Sequence, residues 1–163
     1  KEQWTETVDR LAGQLSPDFS FEFVKPIFEA EANLNTRFNF WDWAAKRFSR
    51  RRDLAARARL AQTHIMIDQG RKPDAVVAAR AVFDQYGDIE GLFLAETLLK
   101  ELGRSDELVK MYGDAFRRIR QPRMASNFLR QTSWYKVGSR YASVLAAGGE
   151  VNQAANIRKR LQP

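Results

Sequence analysis

The sequence predicts an all-helical fold built from stacked pairs of helices. Three stretches share one pattern, in which a helical apolar run, a glycine, a short polar turn and a second helical run follow one another; the glycines are Gly70, Gly103 and Gly149. Gly70 and Gly103 lie 33 residues apart, which is the period of a helix-turn-helix repeat. No alternation of apolar and polar residues is longer than Phe19 to Phe23, so no strand is needed. Arrays of such repeats usually bind other macromolecules on a broad surface.

The first helices can be placed from capping residues and prolines. A helix is predicted near residues 3–14, where apolar residues recur at helical spacing. Ser16 followed by Pro17 predicts an N-cap with proline in the first helical position. Pro26 should kink or divide the helix that begins there, because proline has no N–H to donate.

The remaining helices follow from the same kinds of signal. Asn39 is a candidate cap for a helix over residues 40–51. Asp53 either caps the next helix or lies within one long helix that reaches Gln69. The later helices are expected at residues 73–86, 89–102, 105–120 and 151–161, with a broken helical stretch over 123–147.

Seven small or aromatic positions carry a family resemblance. They are the turn glycines, small residues in the second helix of a pair and one aromatic residue in such a helix: Gly70, Gly103, Gly149, Ala75, Ala154, Ala115 and Tyr112. With these residues the chain resembles the tetratricopeptide-repeat family, with two copies over residues 57–122 and a weaker copy over 134–163. The resemblance implies helix-turn-helix repeats stacked in a right-handed superhelix. Two positions depart from it, because Gln62 stands where the family has a large apolar residue and Glu96 where it has a small one.

The spacing of the glycines also predicts how the chain is divided. Gly103 and Gly149 lie 46 residues apart, which is longer than one repeat, so an insertion is expected near residues 117–133. Pro122 favours a break in helix there. We expect residues 53–163 to form the tetratricopeptide-like repeats and residues 1–52 to form an aromatic-rich N-terminal helical cap.

Aromatic residues are concentrated in that N-terminal segment. Most of the Phe and Trp residues of the chain occur there: Phe19, Phe21, Phe23, Phe28, Phe38, Phe40, Trp41, Trp43 and Phe48. The preferred interpretation is a hydrophobic plug that covers the open end of the array, as terminal repeats must. The alternative interpretation is a partly exposed aromatic docking patch.

Charge is spread unevenly along the chain, whose formal net charge is +7. Residues 1–36 hold three Lys or Arg against seven Asp or Glu, whereas residues 37–80 hold eleven against four. The basic part contains a candidate anion-binding cluster formed by Arg47, Arg50, Arg51 and Arg52. Two further basic clusters follow, at Arg117, Arg118, Arg120 and Arg123 and at Arg158, Lys159 and Arg160. Each cluster is either a solvated helix face, partly neutralised by the acidic segment, or a binding site for RNA or another polyanion.

The residue types that usually carry catalysis are scarce in this chain. There is no Cys, and His64 is the only histidine, so cysteine sites, histidine metal pairs and Cys-His dyads are excluded. No run of about 18 apolar residues is present that could span a membrane. We therefore predict no catalytic residue, no cofactor and no metal site.

The preferred hypothesis is a non-catalytic protein-protein interaction scaffold. The chain begins at Lys1, so we expect it to be a fragment of a longer, bacterial protein. The favoured location is the cytoplasm, which includes the surface of a membrane, and a periplasmic location is left open. The resemblance implies that first helices line a groove for a helical or extended partner segment. The predicted groove residues are Leu60, His64, Ile67, Phe93, Thr97 and Lys100. Nucleic-acid or other polyanion binding through the arginine clusters is the alternative.

Overall fold

The computed structural model describes residues 6–7, 10, 14–122 and 126–162, and all regular structure within these ranges is helical. Helices are named here in chain order: α1 (Pro17–Ala30), α2 (Leu34–Arg47), α3 (Arg52–Asp68), α4 (Lys72–Tyr86), α5 (Ile89–Glu101), α6 (Glu107–Arg118), α7 (Ser126–Leu129), α8 (Ser133–Ala147) and α9 (Val151–Arg160). The predicted all-helical character is confirmed for the described residues. The helix predicted near residues 3–14 lies largely outside them, as does Arg123.

Helix α1 begins as the sequence predicts. The Ser16 hydroxyl accepts a hydrogen bond from the Phe19 backbone N–H at 3.3 Å, and Pro17 is the first helical residue. Pro26 lies inside α1 and does not divide it. Pro26 and Glu22 are both exposed, so the backbone that loses a helical hydrogen bond lies on the solvent side.

The predicted start of α2 is wrong. Asn39 lies inside α2, and the capping residue is Asn33, whose side-chain oxygen accepts from the Thr36 N–H at 3.0 Å. Neighbouring bonds fix this choice. The Glu31 carboxylate accepts from the Asn33 N–H at 2.8 Å, and the Arg37 guanidinium donates to the Glu31 carbonyl at 2.8 and 2.6 Å. Three hydrogen bonds outside the cap therefore support Asn33, and not Asn39, as the capping residue.

Four glycines in the left-handed conformation each follow the end of a helix. The φ angles are 75° at Gly70, 77° at Gly87, 69° at Gly103 and 86° at Gly149. After each of the three repeat glycines, the next residue donates its N–H to a carbonyl five positions back, at 2.8 Å, 2.8 Å and 2.9 Å: Arg71 to Met66, Arg104 to Leu99 and Glu150 to Leu145. This is the bond of the Schellman motif, in which a left-handed residue satisfies carbonyls at a helix end. The same local chemistry thus recurs at all three turns.

The chain divides into two compact units, Lys1–Ala95 and Glu96–Pro163, and the division falls within α5. In the first unit, α2 packs against α1 and α3, and α3 packs against α4. In the second unit, α8 packs against α6 and α9. The predicted domain boundary after residue 52 stays a prediction.

Aromatic side chains form the core of the first unit. Phe21, Phe28, Trp41 and Phe48 are at most 4% exposed, and they pack with Leu54, Ala58 and Ile65 of α3. The ring of Phe28 is surrounded by Phe40, Trp41 and Trp43, with centroids 4.9, 5.2 and 6.1 Å away. Phe19 and Phe23 differ from these, because they are 57% and 47% exposed on α1. The aromatic segment is therefore mostly core, with a small exposed part.

Glycines allow the helices of the second unit to approach closely. A Cβ atom on Gly138 of α8 would lie 2.7 Å from side-chain atoms of both Phe116 and Leu161. Phe116 of α6 stacks on Trp134 of α8, with ring centroids 5.7 Å apart. The sequence predicts an insertion near residues 117–133, and the described part of this stretch contains the short helix α7.

The first prediction separates core aromatics from exposed ones on a single helix. Phe21→Ala should lower the free energy of unfolding by about 3–5 kcal/mol, because it removes a buried ring and leaves a cavity. Phe19→Ala, two residues away and mostly exposed, should change it by about 0.5 kcal/mol or less. Urea unfolding followed by circular dichroism measures both. Equal effects would contradict the assignment of the aromatic segment to the core.

The second prediction tests the close approach of α3 and α4. Ala75 is fully buried, so Ala75→Trp should destabilise by about 1–3 kcal/mol through overpacking. Val77, also on α4, is 69% exposed, and Val77→Trp is the matched control with an expected change of about 0.5 kcal/mol or less. The free energy of unfolding in urea gives both values. If Ala75→Trp left the free energy of unfolding unchanged, the helix register would be misassigned.

Candidate functional site

A cleft of about 240 Å³ lies in the first unit, where α2, α3 and α4 meet. Its apolar wall is formed by Phe38, Met66, Ala78, Ala81 and Val82. Its polar residues are Asp42, Arg59, Gln62, Thr63, Gln85 and Tyr86. The cleft therefore combines an apolar surface with several fixed hydrogen-bonding groups, which is the usual composition of a recognition site.

A partly buried hydrogen-bond network forms the polar floor of the cleft. Arg59 Nη1 donates to Asp42 Oδ1 and to Gln62 Oε1, each at 2.7 Å. Gln62 Nε2 donates to the Phe38 carbonyl at 3.2 Å. Gln62 is only 4% exposed, so these bonds compensate for the burial of its amide. The polar residue that departs from the family pattern thus joins α3 to α2.

The charges of this network are fixed as ions. Hydrogen bonds from Lys46, at 2.6 Å, and from Arg59 lower the pKa of Asp42 below its usual value, although burial opposes them. Burial alone would lower the pKa of Arg59, but its hydrogen bonds to Asp42 and Tyr86 raise it overall. Asp42 is therefore a carboxylate at neutral pH and holds no proton that a general acid could transfer.

The size of the cleft favours a side chain over a whole small molecule. Small-molecule sites usually enclose roughly 300–1,000 Å³, and the cleft is smaller than this range. A single partner side chain with an apolar body and one polar group would match both the volume and the lining.

A second buried polar cluster is centred on Glu96 in the second unit. Glu96 is 4% exposed and accepts hydrogen bonds from the Tyr112 hydroxyl at 2.5 Å and from Lys100 Nζ at 2.6 Å. Arg140 Nη1 lies 3.4 and 3.5 Å from its two carboxylate oxygens. Burial alone would raise the pKa of Glu96, but Lys100, Tyr112 and Arg140 lower it overall. The pKa of the buried Tyr112 phenol is raised, by burial first and by this carboxylate second.

The Glu96 cluster is suited to holding helices together. The carboxylate joins α5 to α6 through Tyr112 and to α8 through Arg140. Because only 6% of its side chain is exposed, a substrate could not reach it without displacing these partners. Glu96 is also a position at which the sequence departs from the family pattern, and the ion pairs explain how a carboxylate fits there.

The predicted groove residues lie apart from the cleft. Leu60, Ile67 and Phe93 are half-buried, whereas His64, Thr97 and Lys100 are exposed. None of these six residues lines the cleft, to which α3 contributes Arg59, Gln62, Thr63 and Met66. Helical geometry explains the difference, because Leu60 and His64 point about 100° away from Arg59 and Thr63 around α3. The groove assignment stays a prediction.

Acidic side chains surround part of the predicted anion-binding cluster. Arg51 donates to the two carboxylate oxygens of Asp18 at 2.6 and 2.8 Å and also pairs with Asp53. These two carboxylates raise the pKa of Arg51 and keep it ionised. Arg52 donates to the backbone carbonyl of Gln85 at 2.6 Å, while Arg47 and Arg50 are exposed.

Sequence reasoning missed the cleft because its walls come from three helices. The signal that could have found it is Gln62, a polar residue at a position expected to be apolar. A buried amide needs partners, and the nearest cation on the same helix face, three residues earlier, is Arg59.

Comparisons with protein-family models, characterised proteins and solved structures found no match for this chain. In the described ranges, no three His, Asp or Glu side chains are grouped so that they could hold a metal ion. The helices within those ranges also include none that is long and apolar enough to cross a membrane.

The third prediction concerns the hydroxyl that binds Glu96. Tyr112→Phe should lower the free energy of unfolding by about 1–3 kcal/mol, because the buried Glu96 carboxylate loses one hydrogen bond. The substitution leaves the aromatic ring in place, so the packing around it should not change. Tyr135→Phe removes a hydroxyl from a half-buried tyrosine in the same unit and serves as the control. Chemical unfolding at neutral pH measures both variants. A Tyr112→Phe variant as stable as the wild type would contradict the proposed network.

The same cluster gives the fourth prediction, on pH dependence. The folded-state pKa of Glu96 lies below its ordinary value of 4.5, so its ionic contribution is present above that pH and is lost as pH falls through the folded pKa. Glu96→Gln carries no titrating group, so its stability should fall less than that of the wild type between pH 5 and pH 3. Unfolding free energies of both proteins across this interval provide the measurement. Parallel curves would show that Glu96 is not stabilised as an ion.

Proposed function

We propose that this protein is a non-catalytic interaction scaffold of tetratricopeptide-like repeats, stacked in a right-handed superhelix within a longer protein. The observation that carries the proposal is the cleft of α2, α3 and α4, where an apolar wall surrounds a fixed polar floor. A partner protein places one side chain in this cleft and lays the adjoining segment along the helices. Binding results from surface complementarity.

The recurrence of one turn geometry supports the repeat assignment. Arg71, Arg104 and Glu150 each make the same backbone bond after a left-handed glycine. Ala75 and Ala154, which the family resemblance places at equivalent small positions, are both fully buried. Equivalent residues with equivalent environments are what repetition of one structural unit produces.

The state of the two best-defined carboxylates favours a structural role over catalysis. Asp42 and Glu96 both have lowered pKa values and are held by cations at 2.6 to 2.7 Å. General acids need a raised pKa, and a general base must reach its substrate. Neither carboxylate therefore has the raised pKa of a general acid, and Glu96, with 6% of its side chain exposed, could not reach a substrate as a general base.

The ion pairs of the first arginine cluster favour a protein partner over a nucleic acid. Arg51 lies between Asp18 and Asp53, and Arg57 pairs with Glu22 at 2.6 Å. A phosphate backbone would have to displace or face these carboxylates. Since affinity for nucleic acid scales with the number of phosphates neutralised, the pairing reduces the expected affinity at this face.

The fifth prediction locates the partner by site-specific crosslinking. A photoreactive phenylalanine analogue at Gln85, an exposed residue lining the cleft, should crosslink one protein in cells that express the full-length chain natively. The same analogue at Val77, which is exposed on α4 but does not line the cleft, is the control and should give no such product. Mass spectrometry of the adducts identifies the partner.

A cleft-filling variant makes this experiment specific. Ala81→Leu should abolish the crosslink from Gln85 because the added atoms occupy the space for the partner side chain. Val77→Leu should leave it unchanged. Crosslinking from His64 alone would move the binding site to the predicted groove, and no adduct from any of these positions would contradict the scaffold proposal.

A further inference from the structure

Positive and negative charges are separated within the second unit. Acidic residues occur where α6 and α9 begin: Asp106, Glu107 and Glu150. Exposed basic residues occur where the same two helices end: Arg117, Arg118, Arg120, Arg158, Lys159 and Arg160. The sequence shows these bases as two clusters some forty residues apart.

Packing brings the two basic clusters together. The Arg160 guanidinium lies over the Phe116 ring, with Cζ 5.1 Å from the ring centroid. Gly138 of α8 lies between Phe116 and Leu161, because a Cβ there would contact both side chains. The ends of α6 and α9 are therefore side by side against α8. We call the basic residues of these two helix ends, together with the exposed Arg130, the cationic end.

Helix dipoles account for only part of this charge. Basic residues in a last turn interact favourably with the carbonyl end of a helix, and five residues are placed in this way: Arg117, Arg118, Arg158, Lys159 and Arg160. Arg120 and Arg130 lie outside the helices, so this effect does not explain them. Asp114 pairs with Arg117, and among the described residues of these two helix ends it is the only acid. Within these two helix ends, basic residues thus outnumber acidic ones six to one.

An exposed phenylalanine accompanies the cations. Phe128 lies in α7, between Arg120 and Arg130 in the chain, and is 55% exposed, whereas the adjacent Leu129 is 8% exposed and buried in the unit. Single-stranded nucleic acids are usually bound by several aromatic platforms. Among the described residues of this unit, the other exposed large apolar side chain is Val151, at the acidic start of α9. A cluster of Lys and Arg with few aromatic residues is instead suited to anionic lipid headgroups, which such clusters bind through their charge.

We propose that the cationic end docks on an anionic lipid bilayer. The arginines and Lys159 bind the lipid phosphates and carboxylates, and Phe128 enters the headgroup region. The proposal uses only residues of the second unit, so it is independent of the function assigned to the cleft.

Sedimentation with lipid vesicles tests the proposed membrane docking, and it uses the whole chain without truncation. The probes are vesicles of phosphatidylcholine containing about 30% phosphatidylserine and vesicles of phosphatidylcholine alone, at about 100 mM salt. Wild type should bind the anionic vesicles and leave the neutral ones unbound. Each cation near an anionic leaflet contributes about fivefold in affinity, so Arg158→Gln with Lys159→Gln should weaken binding about 25-fold. Phe128→Ser should weaken it further.

The control variant also neutralises two cations, but at positions outside the cationic end. Arg50→Gln with Lys110→Gln neutralises two exposed cations that lie outside the cationic end, and should change binding by about threefold or less. Circular dichroism verifies that every variant is folded. Equal binding to neutral vesicles, or an equal loss in the control, would overturn the proposal. Tighter binding to single-stranded polyuridine than to the anionic vesicles, unchanged by Phe128→Ser, would assign the surface to nucleic acid instead.

Discussion

The left-handed glycine turns are the constraint on which the rest of the structure depends. At Gly70, Gly103 and Gly149 the backbone reverses within a few residues, because a positive φ satisfies the last carbonyls of one helix and releases the chain into the next. The helices joined at Gly70 and at Gly149 pack against each other. Close packing then requires small residues at the contacts, as at the fully buried Ala75. The cleft lies beside α3, where α2 packs on one side and the Gly70 turn brings α4 back along the other.

Local chemistry was predictable from the sequence, whereas contacts between distant residues were not. The turn glycines and the Ser16-Pro17 helix start depend on neighbours within a few residues, so their signals can be recognised directly. The start of α2 was misplaced because Asn33 and Asn39 are equally good caps, and a bond to Glu31 decides between them. The cleft could not be predicted, because no periodic pattern shows which side chains of α2, α3 and α4 converge. Gln62 and Glu96 are the residues whose type indicates such contacts, because a polar side chain at a position expected to be buried needs hydrogen-bond partners.

Formal charge along the sequence differs from the charge that each unit exposes. In the first unit the acidic segment supplies Asp18 and Glu22 to Arg51 and Arg57, and the Arg57 guanidinium also lies 4.6 Å from the ring centroid of Phe21. The most arginine-rich stretch of the chain is thus partly neutralised by residues more than thirty positions away. At the cationic end of the second unit, basic residues from two helices are gathered with one acid. The number of arginines in a stretch of sequence is therefore a poor guide to the charge that the stretch exposes.

The position of Glu96 has a consequence for how the second unit opens. Its carboxylate is held by Lys100 of its own helix, by Tyr112 of α6 and by Arg140 of α8, and it is almost completely shielded from water. If α6 or α8 moved away alone, a buried negative charge would lose a partner while staying in a poorly solvated environment. Partial opening of the unit is therefore disfavoured, and the amide protons of these three helices are expected to exchange with solvent through one shared event. A single acidic side chain is thereby expected to couple the opening of these three helices.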